Sequence, residues 1–112
     1  MTRATFFQRG ALLAGVSIAG HAGYAQAGRD IVCSAISAVS HMTALGLCEV
    51  MGLRVQAEAA DGDVQILVDE ADLTAAQPML RTLEKELQAI HDQYPDHIRI
   101  GYQERREFTC FS

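Results

Sequence analysis

Cys33 and His21 are the residues whose types and spacing could do covalent chemistry. Asp30, three residues before Cys33, is a good N-cap type. A helix starting there holds Cys33 in its first turn. The amides and dipole of a helix start favour an anion, so a thiolate is stabilised there. The same amides can hold an oxyanion developing on an attacked carbonyl. A thiol in that place suits nucleophilic catalysis. His21 lies twelve residues before Cys33. An imidazole within reach can take the thiol proton and later give it to a leaving group. Each residue has an ordinary alternative: a buried structural cysteine, and a solvated loop histidine. Asp30 has two readings, a helix cap or a third group that orients His21. Its carboxylate alone would raise the thiol pKa, so the dipole and His21 must outweigh it. Ser37 stands one turn after Cys33 and can face the same site. Ser34 and Ser40 read as close-packing positions. Gly20 precedes His21, while Gly23 and Gly28 fall between His21 and Cys33, where they suit hinges. His41, His91 and His97 have no useful partner spacing, and Cys48 and Cys110 read as bystanders. There is no CxxC pair and no Cys/His cluster of zinc-finger spacing, so no metal site is expected.

The surrounding pattern must bring the pair together. Thr2 to Gln8 and Leu12 to Ala19 read as two strands around an Arg9-Gly10 turn. The second has Leu12, Ala14, Val16 and Ile18 on one face and a nearly equally apolar set on the other, as a buried central strand would. Gly20 to Arg29 is a loop with His21 at its start. Asp30 to about Met51 is a helix, with Val32, Ile36, Val39, Thr43, Leu47 and Val50 at helical spacing and Gly52 as its end. Leu53 to Ala59 and Val64 to Val68 alternate around Asp61-Gly62-Asp63, a hairpin signal. A second helix carries the stripe Leu73, Ala76, Leu80, Leu83, Leu87, Ile90 and Tyr94, and ends before Pro95. Its start is ambiguous. Thr74 with Gln77 resembles a capping box, but Pro78 just inside removes a bond. Ile98, Ile100 and Tyr102 mark a last strand. Residues 1–103 form one domain, and Glu104 to Ser112 read as a polar tail of no assigned role. The order ββαββαβ predicts an α+β two-layer sandwich: a five-stranded, mostly antiparallel sheet with two helices on one face. The bare face must be polar or covered by a partner subunit.

The bulk numbers narrow the function. A chain of 112 residues suits one compact domain. The net charge of -5, with basic residues scattered, argues against direct nucleic-acid binding. Three cysteines make no disulfide framework. On one helix, Cys33 and Cys48 would lie about 22 Å apart and could not bridge. The thiols read as reduced, hence cytoplasmic. A rival reading takes the start as a secretory signal, with Arg3 and Arg9, the apolar run Ala11 to Ala19 and an Ala25-Gln26-Ala27 cleavage site. The β-prone run Thr5-Phe6-Phe7 ahead of Arg9, and Gly15 and Ser17 inside the apolar run, favour the hairpin. No stretch reads as long enough to span a bilayer, and no membrane partner is expected.

The segment GHAGYAQAGRDIVCSAIS, Gly20 to Ser37, resembles the signature of the ribosomal-processing cysteine protease family, Prp. That pattern has a GHA start, a loop rich in Gly and Ala, then DIVCA or DIVCS and a small-residue helix. The element order extends the resemblance over most of residues 1–103. It implies a homodimeric two-layer sandwich and a cytoplasmic bacterial endopeptidase without metal or cofactor. It implies catalytic roles for His21 and Cys33, while Gly20, Asp30 and Ser37 match further signature positions. Family members remove a short N-terminal extension from the precursor of large-subunit ribosomal protein number twenty-seven, after a hydrophobic, Phe-containing stretch. That precursor segment is the expected partner. The short first hairpin turn and the tail depart from the family pattern. The alternative function is a non-catalytic ribosome-assembly or peptide-binding module with an inert Cys33.

Overall fold

The computed structural model describes residues 1–20, 31–60 and 63–105. Among these, strands β1 (Thr2–Arg9) and β2 (Leu12–Ala19) precede helix α1 (Ile31–Leu45). A wider π turn, Gly46–Val50, extends α1. Strands β3 (Val55–Ala60) and β4 (Asp63–Val68), helix α2 (Leu73–Gln93) and strand β5 (Ile98–Glu104) follow. The sheet order is β3-β4-β2-β1-β5, antiparallel except for the parallel β1–β5 pair. The expected α+β sandwich is the fold observed.

Both helices cover one face. Ala4, Phe6, Val16, Ile18, Ile66, Val68 and Ile98 from the strands join Val32, Ile36, Leu80, Leu83 and Leu87 from the helices in one buried cluster. The other face is polar, with Arg3, Gln56, Glu58, Gln65, Arg99 and Gln103 exposed. Its half-buried Phe7 is covered by the Arg105 guanidinium, 5.6 Å from the ring centre.

β2 is the buried central strand its composition predicts, but its inner face is not the simple alternation of Leu12, Ala14, Val16 and Ile18. The register with β1 shifts between Phe7 and Gln8, where Ala14 is the extra residue opposite the pair. A bulge of this kind reverses the alternation. Leu13, fully buried, therefore replaces Leu12 as the core residue at that end, and Leu12 is only half-buried.

Beyond Gly15, β2 has outrun its neighbour β4, whose pairing stops at the Gly15–Leu67 level. Gln77 of α2 fills the gap. Its Oε1 accepts from the Leu13 amide at 2.9 Å, and its Nε2 donates to the Leu13 carbonyl at 2.8 Å. One side-chain amide thus does the work of a strand residue. Gln77 is not half of a capping box with Thr74. Its Nε2 also donates to the Leu73 carbonyl within α2. α2 is entered through a short 3-10 turn, Glu70–Asp72, which Asp69 caps by accepting from the Ala71 amide. Pro78 is accommodated inside α2.

The stripe of α1 runs Val32, Ile36, Ser40, Thr43 and Leu47. The Ser40 and Thr43 hydroxyls are satisfied by donating to carbonyls one turn back, Ile36 at 2.6 Å and Val39 at 2.8 Å. Val50, expected on this stripe, is 83% exposed. The π turn holds more residues per turn than an α-helix, so it rotates Val50 off the core. Contrary to the expectation from sequence, Ile31–Val50 is long and apolar enough to cross a membrane by length and composition, with mean hydropathy 1.7. Its small Ala, Gly and Ser residues dilute the bulk of the segment without making it polar. Its stripe, however, belongs to the core of the sandwich.

The β3–β4 hairpin is as predicted, with Ala60 paired to Asp63 across residues 61–62. β5 takes in Glu104, the first residue of the expected tail. The Arg105 amide still donates to the Gln8 carbonyl at 2.7 Å.

Candidate active site

One end of the sheet gathers the residues that matter. β2 runs out at Ala19, β1 begins at Thr2, β4 begins at Asp63 and β3 ends at Ala60. α1 starts at the same end, so its third described residue, Cys33, arrives there too. A pocket of about 70 Å³ is lined by Cys33, Ile36, Ser37 and Ser40 of α1 and by Thr2, Ile18, Gly20, Ala60, Asp63 and Val64. Cys33 is half-buried and packs against the core cluster, so its side chain is neither sealed off nor open to bulk water.

Gly20 marks the end of β2. Its φ is +88°, in the left-handed region, and a Cβ there would sit 2.8 Å from the Met1 carbonyl oxygen. Only glycine meets both demands. The Gly20 amide faces the Asp63 carboxylate at 3.4 Å. Asp63 also pairs with Ala19, so the foot of the β3–β4 hairpin braces the point where the chain leaves β2 toward His21.

Of the residues expected at the site, Gly20, Cys33 and Ser37 line this one pocket. His21, Gly23, Gly28 and Asp30 lie outside the described residues. Asp63, Ala60, Val64 and Thr2 join the pocket without having been expected there. The hairpin containing Asp63 was legible, but its place beside α1 depends on strand order. Ser40 lines the pocket in its expected close-packing role. Cys48 is half-buried in the π turn, and burial, followed by the Glu49 carboxylate, pushes its thiol pKa up from the ordinary 9.0. No His/Cys/Asp/Glu group able to hold a metal ion occurs among the described residues.

A second, open groove of about 660 Å³ adjoins the pocket. It runs between α1 (Ser37, Ala38, Ser40, His41, Ala44) and β3 (Ala57 to Ala60), with Val64 at its floor.

A cysteine in the first turn of a helix, opening on a pocket at the end of an α+β sandwich, suits the class of thiol-dependent hydrolases. Comparison with known families makes the class definite. Residues 1–99 match the family described as cysteine protease Prp. The chain belongs to that family, and it is a cysteine protease. Solved structures agree. The ribosomal processing protease Prp of S. aureus, in complex with a covalently linked product peptide, shares 26% identity and a TM-score of 0.83 over 92% of this chain and all of that one. The S. aureus protein with a substrate peptide gives 25% identity and 0.79 over the same shares. SMU.848 of Streptococcus mutans, at 23% identity and a TM-score of 0.73, covers 94% of this chain and 96% of that one, and shares the fold. Among curated protein sequences there is no match.

Proposed function

We propose that this protease removes a short N-terminal extension from the precursor of large-subunit ribosomal protein number twenty-seven, with Cys33 as nucleophile and His21 as general base and acid. The observation that carries this reading is the position of Cys33. It stands in the first turn of α1 on a pocket, inside the signature that runs from Gly20 to Ser37. Support for the substrate comes from the S. aureus relative, a ribosomal processing protease whose structure holds a covalently linked product peptide.

The chemistry follows from the groups. His21 takes the Cys33 proton, and Sγ attacks the scissile carbonyl carbon. The new C–S bond forms as the carbonyl π pair moves to oxygen, where amides at the start of α1 hold it. The pair returns, the C–N bond breaks, and the His21 imidazolium gives its proton to the departing amine. Water, deprotonated by His21, then hydrolyses the thioester and restores the thiol. Asp30 caps α1 or orients His21, and Ser37 borders the pocket beside the peptide. The enzyme acts as a homodimer in the bacterial cytoplasm, without metal or cofactor and without binding nucleic acid or membrane.

The test uses a peptide that spans the precursor's cleavage site, with product followed by mass spectrometry. Cys33→Ala and His21→Ala should each lower kcat/KM by at least about a thousandfold, as loss of a nucleophile or its base does. Cleavage at the normal rate by either variant refutes the assignment. Sedimentation of the wild-type protein at micromolar concentration should report a dimer.

A further inference from the structure

We infer that the sheet face left bare by the two helices is where a second copy of the chain docks, about a two-fold axis parallel to β2, so that Arg3 of each copy meets Asp63 of the other. This assigns a surface to the homodimer proposed above and rests on that reading. Three observations carry it.

The first is the order of charge across the face. The strand registers set Asp63, Ala19, Arg3 and Arg99 side by side in one row at the Cys33 end. The next row runs from Glu58 through Gln65, Ser17 and Thr5 to Gly101, and the third holds Leu67, Gly15 and Phe7. Within these rows the carboxylates stand on the β3–β4 half and the arginines on the β1–β5 half. A two-fold axis along β2 lays β4 and β3 of one copy over β1 and β5 of the other, so the face is its own complement. Arg3 meets Asp63 twice, once from each copy. Glu58 comes over Gly101, where a Cβ would have nothing within 4 Å, and finds room there one step from Arg99. Leu67 meets Phe7 and the Arg105 guanidinium stacked on it.

The second is an unrelieved repulsion. Arg3 and Arg99 are paired in register on neighbouring strands, about 4.8 Å apart. Like charges so placed destabilise a sheet. Both are exposed, and among the described residues neither makes a hydrogen bond or an ion pair. Asp63 and Glu58 of the second copy supply the missing counter-charge.

The third is the floor. The axis passes over Gly15, Ser17 and Ala19, whose small size lets two sheets approach to the usual separation of about 10 Å. Five strands and three rows measure roughly 24 by 20 Å. Two such faces give about 1,000 Å², the lower end for a specific interface. Met42 and Leu45 of α1 are also exposed. They stand beside Ala38, His41 and Ala44 of the open groove, where a second copy would crowd the approach to Cys33.

The test is sedimentation equilibrium of the wild type, Arg3→Glu, Asp63→Arg, the double variant Arg3→Glu/Asp63→Arg, Ser17→Arg, and Met42→Glu on α1. Melting temperature and the rate of Cys33 alkylation report folding. Arg3→Glu and Asp63→Arg should each raise the dimer dissociation constant by at least about tenfold, since each breaks both copies of the pair. The double variant exchanges the charges and should recover most of the wild-type affinity. Ser17→Arg sets two like charges together on the axis and should also dissociate the dimer. It carries the test if Asp63→Arg, which loses its contact with the Gly20 amide, misfolds. Met42→Glu should leave the dimer intact. A dimer that persists in folded Arg3→Glu and Ser17→Arg, or that Met42→Glu dissociates, overturns the inference and leaves the homodimer standing. A folded double variant as weak as the single ones overturns it too. A wild type that sediments as a monomer at every concentration removes the homodimer and the inference together.

Discussion

Thiols react as thiolates, so the two described cysteines should separate by environment. Burial and Glu49 hold the Cys48 thiol above its usual range, which lowers its thiolate fraction at neutral pH. Cys33 should therefore be alkylated by iodoacetamide at least about fivefold faster than Cys48 at pH 7. The gap should narrow toward pH 9 as Cys48 ionises, and peptide mass spectrometry reads both rates. Tyr102 gives a second residue-scale prediction. Its hydroxyl donates to Glu84 Oε2 at 2.6 Å, and burial, then Glu84, raises its pKa from 10.0. A pKa raised on folding adds stability below the unfolded value and loses it as pH rises through the folded value. Tyr102→Phe should lower Tm at pH 7, and its deficit should shrink as the wild-type tyrosine ionises in alkali. At the site, Gly20→Ala forces a side chain into a left-handed backbone against the Met1 carbonyl. It should lower stability by about 1–3 kcal/mol in urea melts and reduce cleavage with it.

At the scale of elements, joints between the layers hold sheet and helices together away from the pocket. Gln77 ties α2 to β2 through both backbone groups of Leu13, where no strand is left to do so. Gln77→Ala leaves a partly buried amide and carbonyl without these bonds. It should cost about 2 kcal/mol by urea denaturation. Gln77→Glu keeps the acceptor for the Leu13 amide but sets a carboxylate oxygen against the Leu13 and Leu73 carbonyls, so it should cost at least as much. Gly15 lies against β4 with no room for a side chain. A Cβ there would overlap the Ile66 carbonyl oxygen, with no flexible side chain to give way. The π turn after α1 is a third joint. It lets Leu47 stay in the core while the chain turns toward β3.

At the scale of the molecule, the charge of the chain suits the proposed substrate. The chain carries a net charge of -5, with Asp63 at the Cys33 pocket and Glu58 at the groove. A ribosomal precursor binds RNA and so carries a basic surface. Opposite charges speed encounter, and salt screens them over about 8–10 Å at physiological strength. For a basic precursor, kcat/KM should fall several-fold between low and physiological salt, while kcat at saturation holds. An uncharged peptide with the same cleavage site should show little of this dependence.

Much of this protein was legible in its residues because the signals were local. Alternation of period two marked the strands, steps of three and four marked the helices, and Asp61-Gly62-Asp63 marked the second hairpin. The twelve-residue interval from His21 to Cys33 carries the proposed chemistry. Contacts between distant segments were hidden. The bulge at Ala14 turned Leu13 inward, the π turn turned Val50 outward, and Gln77 went to Leu13 rather than to a cap. Strand order brought the foot of the β3–β4 hairpin, with Ala60 and Asp63, to Cys33. The sequence by itself determined that Cys33 begins a helix after a glycine-rich segment. Only the tertiary structure decided what that thiol faces: a small pocket, and beside it an open groove between α1 and the end of β3.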